Sequence, residues 1–399
     1  MNLRQLSWIP LLIILCGCAL HCAPPDTGPV VRSFELPAAP GARFPSIDAA
    51  NGRLAVSWVQ PGSKDEAATI FVTELVEEIW DEPAVVSEGE RLMINWADFP
   101  EPQIVGTDGL AMHWLVRAGG PQFAYGIRLA QRGADGQWSV PAIPHGQDHA
   151  AEHGFVSLVP DDAAALDTLW LDGREMGRGG TMELRHARWE PSGRFGPERV
   201  IDADVCTCCQ TDATRVGDDL LVVYRDHSAG EIRDISIVRQ SANGWESPSR
   251  FSNDGWQISA CPVNGPAIDS DEDDVVVAWF TQANDEPKVL ARDSSDGGVS
   301  WSETRRIDDG DPIGRVDVTM LSDGSWAVSW LENDETDAAV RVRRYLPETG
   351  EMEPSMTLGQ TGAQRDSGFP RIDFDGERLW ATWTETSRPT QLRLSTIVW

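Results

Sequence analysis

The chain is short of tyrosine, of basic side chains and of long apolar runs. Three tyrosines stand against 17 tryptophans, and 33 Lys and Arg against 63 Asp and Glu, which leaves a formal charge of −30. A surface that acidic repels nucleic acid and anionic lipid headgroups, so nucleic acid is excluded as a partner. No long stretch carries a 3.6-residue apolar period, so helices are not expected to build the core. What the chain does have is 36 Gly, 26 Pro and abundant Trp, with 41% hydrophobic and 24% charged residues. That composition describes a folded globular protein made of repeated strands and turns.

Residues 1–17 read as a secretion signal. Arg4 supplies the positive start, and Leu6 to Leu15 form an apolar core interrupted by Pro10 and too short to span a bilayer. The segment Leu15-Cys16-Gly17-Cys18 resembles the lipobox of bacterial lipoproteins, which implies that Cys18 carries lipid and is the first mature residue. Ala19 follows it, where Asp would suggest inner-membrane retention, so the expected place is the outer membrane, facing the periplasm. Residues 18–30 hold three prolines and read as a tether. Residues 31–399 form the rest.

One pattern recurs through that remainder. An extended segment leads into an Asp- and Gly-rich turn, and an apolar strand follows, ending in an aromatic residue. The seven end points are Trp58, Trp114, Trp170, Tyr224, Trp279, Trp330 and Trp383, between 51 and 56 residues apart. Each copy continues with a third strand, then a Gly-containing turn and often a Trp, as at Trp138, Trp245 and Trp301. Four short strands per period of this length describe one propeller blade. The expected fold is therefore an all-β β-propeller of seven four-stranded blades. The last copy stops at Trp399 without a fourth strand, and residues 30–36 offer a spare one, so the N-terminal strand should close the ring. A monomer is expected.

In a propeller, the starts of first strands and the ends of second strands meet on one face around the channel. That rule gathers Arg43, Glu152, His153, Arg174, Arg225, Arg315 and Arg371 as candidate ligand-binding residues, with Asp172, Asp226 and Asp317 as candidate acids or bases. Clustered arginines suit bidentate recognition of carboxylate or phosphate, and paired carboxylates suit glycoside hydrolysis. The same residues could instead be mutual salt bridges stapling the blades. The expected ligand is a small anionic or glycan molecule, or an envelope protein.

The cysteines are the least ordinary feature. Cys206, Cys208 and Cys209 open the fourth copy and Cys261 opens the fifth, so adjacent blades should bring them together. Export favours disulfides, one from Cys261 to the cluster and one within it. A thiolate site for Cu or Zn is the alternative, and no other cofactor is expected. His145, His149 and His153 are spaced by four, as on a metal-binding helix face, but they fall in a connection between copies.

The stretch Ser294 to Trp301 fits S-x-D-x-G-x-x-W, the Asp-box, with Ser294, Asp296, Gly298 and Trp301 as structural residues of a hairpin. Together with EHGFVSL, WLDGR, CTCCQTD, VVYRD, ACPVNGP, AWFT and GRVDV, it makes nearly the whole mature chain resemble the sialidase-like, Asp-box (BNR-repeat) family of bacterial exported propellers. The resemblance implies a three-arginine clamp, with Arg225, Arg315 and Arg371 as the available arginines, and an exo-α-sialidase or other glycoside hydrolase activity as an alternative to simple binding. The chain departs from that pattern in two ways. No tyrosine opens the last copy, where the nucleophile would belong, and sialidases have six blades where seven are counted here.

Overall fold

The apolar runs ending in an aromatic residue each fold as the second strand of a blade. These strands are Arg53–Gln60, Gly109–Arg117, Leu166–Asp172, Asp219–Arg225, Asp274–Thr281, Trp326–Asn333 and Leu379–Glu385. They are buried on both faces because each blade is sandwiched between two others, which is why their sequences run apolar instead of alternating. The seven aromatic end residues are at most 4% exposed. Truncating any of the six tryptophans to alanine would cost about 3–5 kcal/mol.

The computed structural model describes residues 28–62, 68–88, 91–119, 123–133, 136–146, 150–161, 163–335 and 337–399. The expected signal, most of the tether, Cys18 and His149 lie outside the described residues. The described residues form seven antiparallel sheets, so the copy number read from the tryptophans is the blade number. The second blade shows three strands, Glu101–Val105, Gly109–Arg117 and Tyr125–Arg132, with its outer edge met by single bridges from Trp138 and Ala142. The innermost strands touch in succession around the ring, and the seventh returns to the first.

Closure follows the expected route. Val30–Phe34 pairs antiparallel with Gln391–Val398 as the outer strand of the seventh blade, in register from Val30 opposite Val398 to Phe34 opposite Leu394. Among the described residues, no helix is long and apolar enough to cross a membrane.

The Asp-box sits in the hairpin between Lys288–Ser294 and Arg305–Arg306 of the fifth blade. The Asp296 carboxylate accepts from the backbone N–H of Val299 and Ser300 and from the Ser294 hydroxyl, and Ser294 Oγ accepts from the Gly298 N–H at 2.9 Å. These bonds, led by that of the Ser300 hydroxyl, hold the Asp296 carboxyl at about 2. Gly298 has φ 77°, and a Cβ there would lie 2.9 Å from Leu221 of the fourth blade. Trp301 meets Phe251 edge-on at 4.8 Å. All four residues thus hold a turn.

Candidate functional site

Inside the channel, one motif recurs: an aspartate, on the inner strand at every position but Asp98, whose carboxylate reaches the neighbouring blade. Asp48 accepts from Ile104 N–H at 2.6 Å, Asp98 from Phe155 at 2.9 Å, and Asp212 from Ile268 at 2.8 Å. Asp269 accepts from Met320 at 2.7 Å, Asp317 from Ile372 at 2.8 Å, and Asp373 from Ala49 at 2.6 Å. Between the third and fourth blades, where no such aspartate stands, Ser157 and Thr211 share a hydroxyl pair at 2.7 Å. Every junction of the ring is therefore stapled by a polar side chain.

Burial pushes these carboxyls up, Asp48 and Asp212 to about 7 and Asp269 to about 6, with Asp98 and Asp373 well above the ordinary range. The Arg371 guanidinium faces several of them. Arg371 lies 3.4 Å from Asp317 and 3.9 Å from Glu101, and the surrounding carboxylates hold its charge more firmly than usual although burial opposes it. His113 in the same channel is kept neutral by burial, down at about 3. The channel encloses a cavity of about 240 Å³. Asp317 and Arg371, candidates for catalysis and ligand binding, are thus parts of this internal ring.

The other predicted residues divide. Arg225 is 2% exposed, and its three donors go to the backbone carbonyls of Asn264, Arg233 and Phe280, with its plane 4.8 Å from Trp256. Arg315, φ 57°, donates to the carbonyls of Gln364 and Gly368 and to Ser367 Oγ, and lies 4.7 Å over Trp96. Arg174 is bidentate to Asp172 at 2.8 and 2.6 Å and also grips Glu198. Arg225 and Arg315 staple neighbouring blades and Arg174 closes an ion-pair cluster within the third, so all three are committed to protein acceptors; Arg43 remains exposed. Asp172 is wholly buried, and despite burial the His153 ring at 3.1 Å and Arg174 hold its carboxyl far below the usual range. A carboxylate kept ionised in that way is a poor general acid. His153 in turn stacks flat on His145 at 4.0 Å, and His145 Nε2 accepts from the Ile127 N–H. His145 and His153, eight residues apart, thus form a stacked pair joining the second and third blades.

Two features escaped the sequence reading. Segment 95–99 crosses the channel mouth. Gln210 donates to the Ala97 carbonyl, Asp98 serves the third blade, and Trp96 stacks on Phe369 of the seventh at 5.8 Å. Phe44 and Phe155, both at positive φ where their first strands bulge, pack beneath it. The second feature is a tyrosine–carboxyl pair: Tyr125 Oη donates to Glu152 Oε1 at 2.8 Å. Burial raises Glu152, and burial together with Asp98 and Glu152 pushes Tyr125 well above its ordinary value. Extending the blade-adjacency argument from the cysteines to the third strand of the second blade would have found this pair.

Beside it lies the thiol cluster. Cys206 Sγ stands 3.4 Å from Cys209 Sγ and 4.0 Å from Cys208 Sγ. Cys206, Cys208, Cys209 and Cys261 all carry free thiols, so neither expected bridge is formed. Cys261 is exposed, on the far side of Thr207, whose Oγ1 lies 3.9 Å from its Sγ. Hydrogen bonds from Cys208 and Cys209 place the first thiolate on Cys206, and burial pushes Cys209 up to about 12. Asp226, half-buried and raised by burial, and the Asp204–His227 pair at 2.7 Å line the adjoining rim.

No family model and no curated protein matches the chain. Among solved structures, the polysaccharide lyase Uly1 superimposes with a TM-score of 0.54 at 9% identity, covering 88% of this chain and 89% of that one. A protein of unknown function from Dyadobacter fermentans aligns with a TM-score of 0.49 at 14% identity, over 92% and 99% of the two chains. The Hadza microbial sialidase Hz136 aligns with a TM-score of 0.49 at 12% identity, over 81% and 72%. At these identities the likeness is one of fold alone, and that fold is a seven-bladed β-propeller.

Proposed function

We propose that the protein is an exported, lipid-anchored envelope propeller that binds an uncharged glycan across the channel mouth. The observation that carries this reading is Trp96, half-buried on segment 95–99 and backed by Phe369 and Arg315, with the Tyr125–Glu152 pair on the same mouth. A partly exposed aromatic ring beside the half-buried Glu152 carboxyl, which buried Tyr125 fixes in place, suits the apolar faces and hydroxyl edges of a sugar. Arg174, Arg225 and Arg315 are committed to protein acceptors and Arg371 faces the ring carboxylates, so these four form no clamp for an anion. Exposed Arg43 and Arg365 are left as the arginines that could meet one; this favours an uncharged glycan. The fold is shared with a polysaccharide lyase, which directs attention to carbohydrate.

A glycan array carrying neutral and sialylated oligosaccharides, followed by calorimetry, tests the reading. Neutral glycans should bind, and Trp96→Ala should weaken them at least tenfold. Binding confined to sialylated glycans and unchanged by Trp96→Ala would overturn it. A hydrolytic alternative rests on Glu152, whose raised carboxyl fits a proton donor. Turnover of fluorogenic glycosides that disappears in Glu152→Gln would replace binding by catalysis. The anchor is tested separately: labelled fatty acid should enter the wild-type chain in its host and not Cys18→Ser.

A further inference from the structure

We infer that Cys206, Cys208 and Cys209 form a three-coordinate site for a soft monovalent ion, Cu(I). The three sulfur atoms all lie within 4.8 Å of one another. Three sulfurs sharing one ion at a metal–sulfur distance of about 2.3 Å stand roughly 3.8–4.0 Å apart, in tetrahedral or trigonal geometry. The observed separations of 3.4 and 4.0 Å straddle that spacing. A disulfide would need the atoms at about 2.05 Å. The cluster therefore already has the dimensions of a metal site.

The scaffold fixes those positions independently of any ion. The Val205 N–H donates to the Met182 carbonyl and the Cys206 N–H to the Arg225 carbonyl, so the loop is tied to the third and fourth blades on either side. Cys206 and Cys209 are 1% and 2% exposed, while Cys208 is half-exposed. The pair is dry and the third ligand is open to entry.

Ligand number selects the ion. Thiolates favour Cu(I) and Zn(II) among common metals, and structural Zn(II) is almost always four-coordinate. Among the described residues the cluster counts three such ligands. Three thiols that lose three protons to one Cu(I) leave a net charge of −2. Arg225 and Arg233 flank Cys206 and balance that charge in place. The carboxylates of Asp204 and Asp226 on the adjoining rim add an acidic approach that concentrates cations.

The test uses the full chain, reduced under anaerobic conditions and titrated with Cu(I) held by a competing chromogenic chelator. One equivalent should bind, with a first shell of three sulfurs by X-ray absorption. Cys208→Ser, at the half-exposed position, should keep the fold by circular dichroism and bind at least 100-fold more weakly. Cys206→Ser should do the same, and Cys261→Ser should bind like the wild type. Three outcomes would overturn the inference: no binding above chelator competition, a four-sulfur shell that prefers Zn(II) and needs Cys261, or a Cys206–Cys209 disulfide by mass spectrometry in protein taken from its native compartment. None of these readouts involves sugar, so failure here and failure of the glycan reading are separable.

Discussion

Two regions of this propeller use ionisable side chains in opposite ways. Around the channel, an aspartate is repeated from blade to blade, and each repeat serves the same junction. On the rim from the third to the fifth blade, the residues do not repeat: three clustered thiols, the tied Asp204–His227 pair, and the Tyr125–Glu152 pair just beside them. Repeated polar groups hold the ring closed, and the departures from the repeat are where ligand chemistry can be carried. Buried stapling groups contribute through satisfied hydrogen bonds and cost heavily when broken, whereas a half-exposed rim group can be changed with little loss of stability.

That contrast can be broken by experiment. The largest effect is expected for Asp317→Ala, which leaves the Ile372 N–H without its acceptor and Arg371 without its nearest carboxylate. We expect a loss of about 3–5 kcal/mol in urea unfolding. A loss under about 1 kcal/mol would remove Asp317 from the staples and return it to the list of catalytic candidates. Trp96→Ala should cost less, about 1–2 kcal/mol, since it gives up a stacking contact and a cation–π contact but opens no deep cavity.

The pH dependence sharpens the same point. The ordinary value for an Asp carboxyl is 3.8, whereas Asp48 and Asp212 are held at about 7 in the folded ring. Between those values the folded chain binds more protons than the unfolded one, so their contribution to stability falls as pH rises from about 4 to 7. Asp172 works the other way: its depressed carboxyl adds stability that is present above the ordinary value and lost in stronger acid. Asp48→Asn combined with Asp212→Asn should flatten the decline in melting temperature between pH 4.5 and 7.5. An unchanged slope would show that the ring carboxyls do not set it. The smallest effect is expected at Cys208→Ser, below about 1 kcal/mol, because the side chain is half-exposed and the loop is held by backbone bonds.

The sequence already carried the architecture, because a packed aromatic at the end of every second strand is a local pattern that survives in one dimension. It carried the staples too, in SIDAA, TDATR, AIDSD, VDVTM and RIDFD, yet their role was hidden. Asp317 read as a possible acid, since the partner that defines it is a backbone N–H in another blade. The arginines misled for the same reason: Arg225 and Arg315 do converge near the mouth, but carbonyl oxygens, which no sequence pattern marks, take their donors. Segment 95–99 lies between copies of the repeat and has no periodicity to betray it. The cysteines were legible as a group because two adjacent blades open with them, whereas their division into three clustered and one lateral thiol depended on the turn around Thr207.

The strand that closes the ring has a kinetic consequence. Val30–Phe34 leaves the ribosome long before its partner Gln391–Val398. At a synthesis rate of about 5–20 residues per second, the early strand waits roughly 20–70 s for its mate. During that interval the first six blades can form only an open arc, and Val30–Phe34 has no strand to pair with. The ring therefore stays open until Gln391–Val398 is made, and the seventh blade is the step at which folding commits.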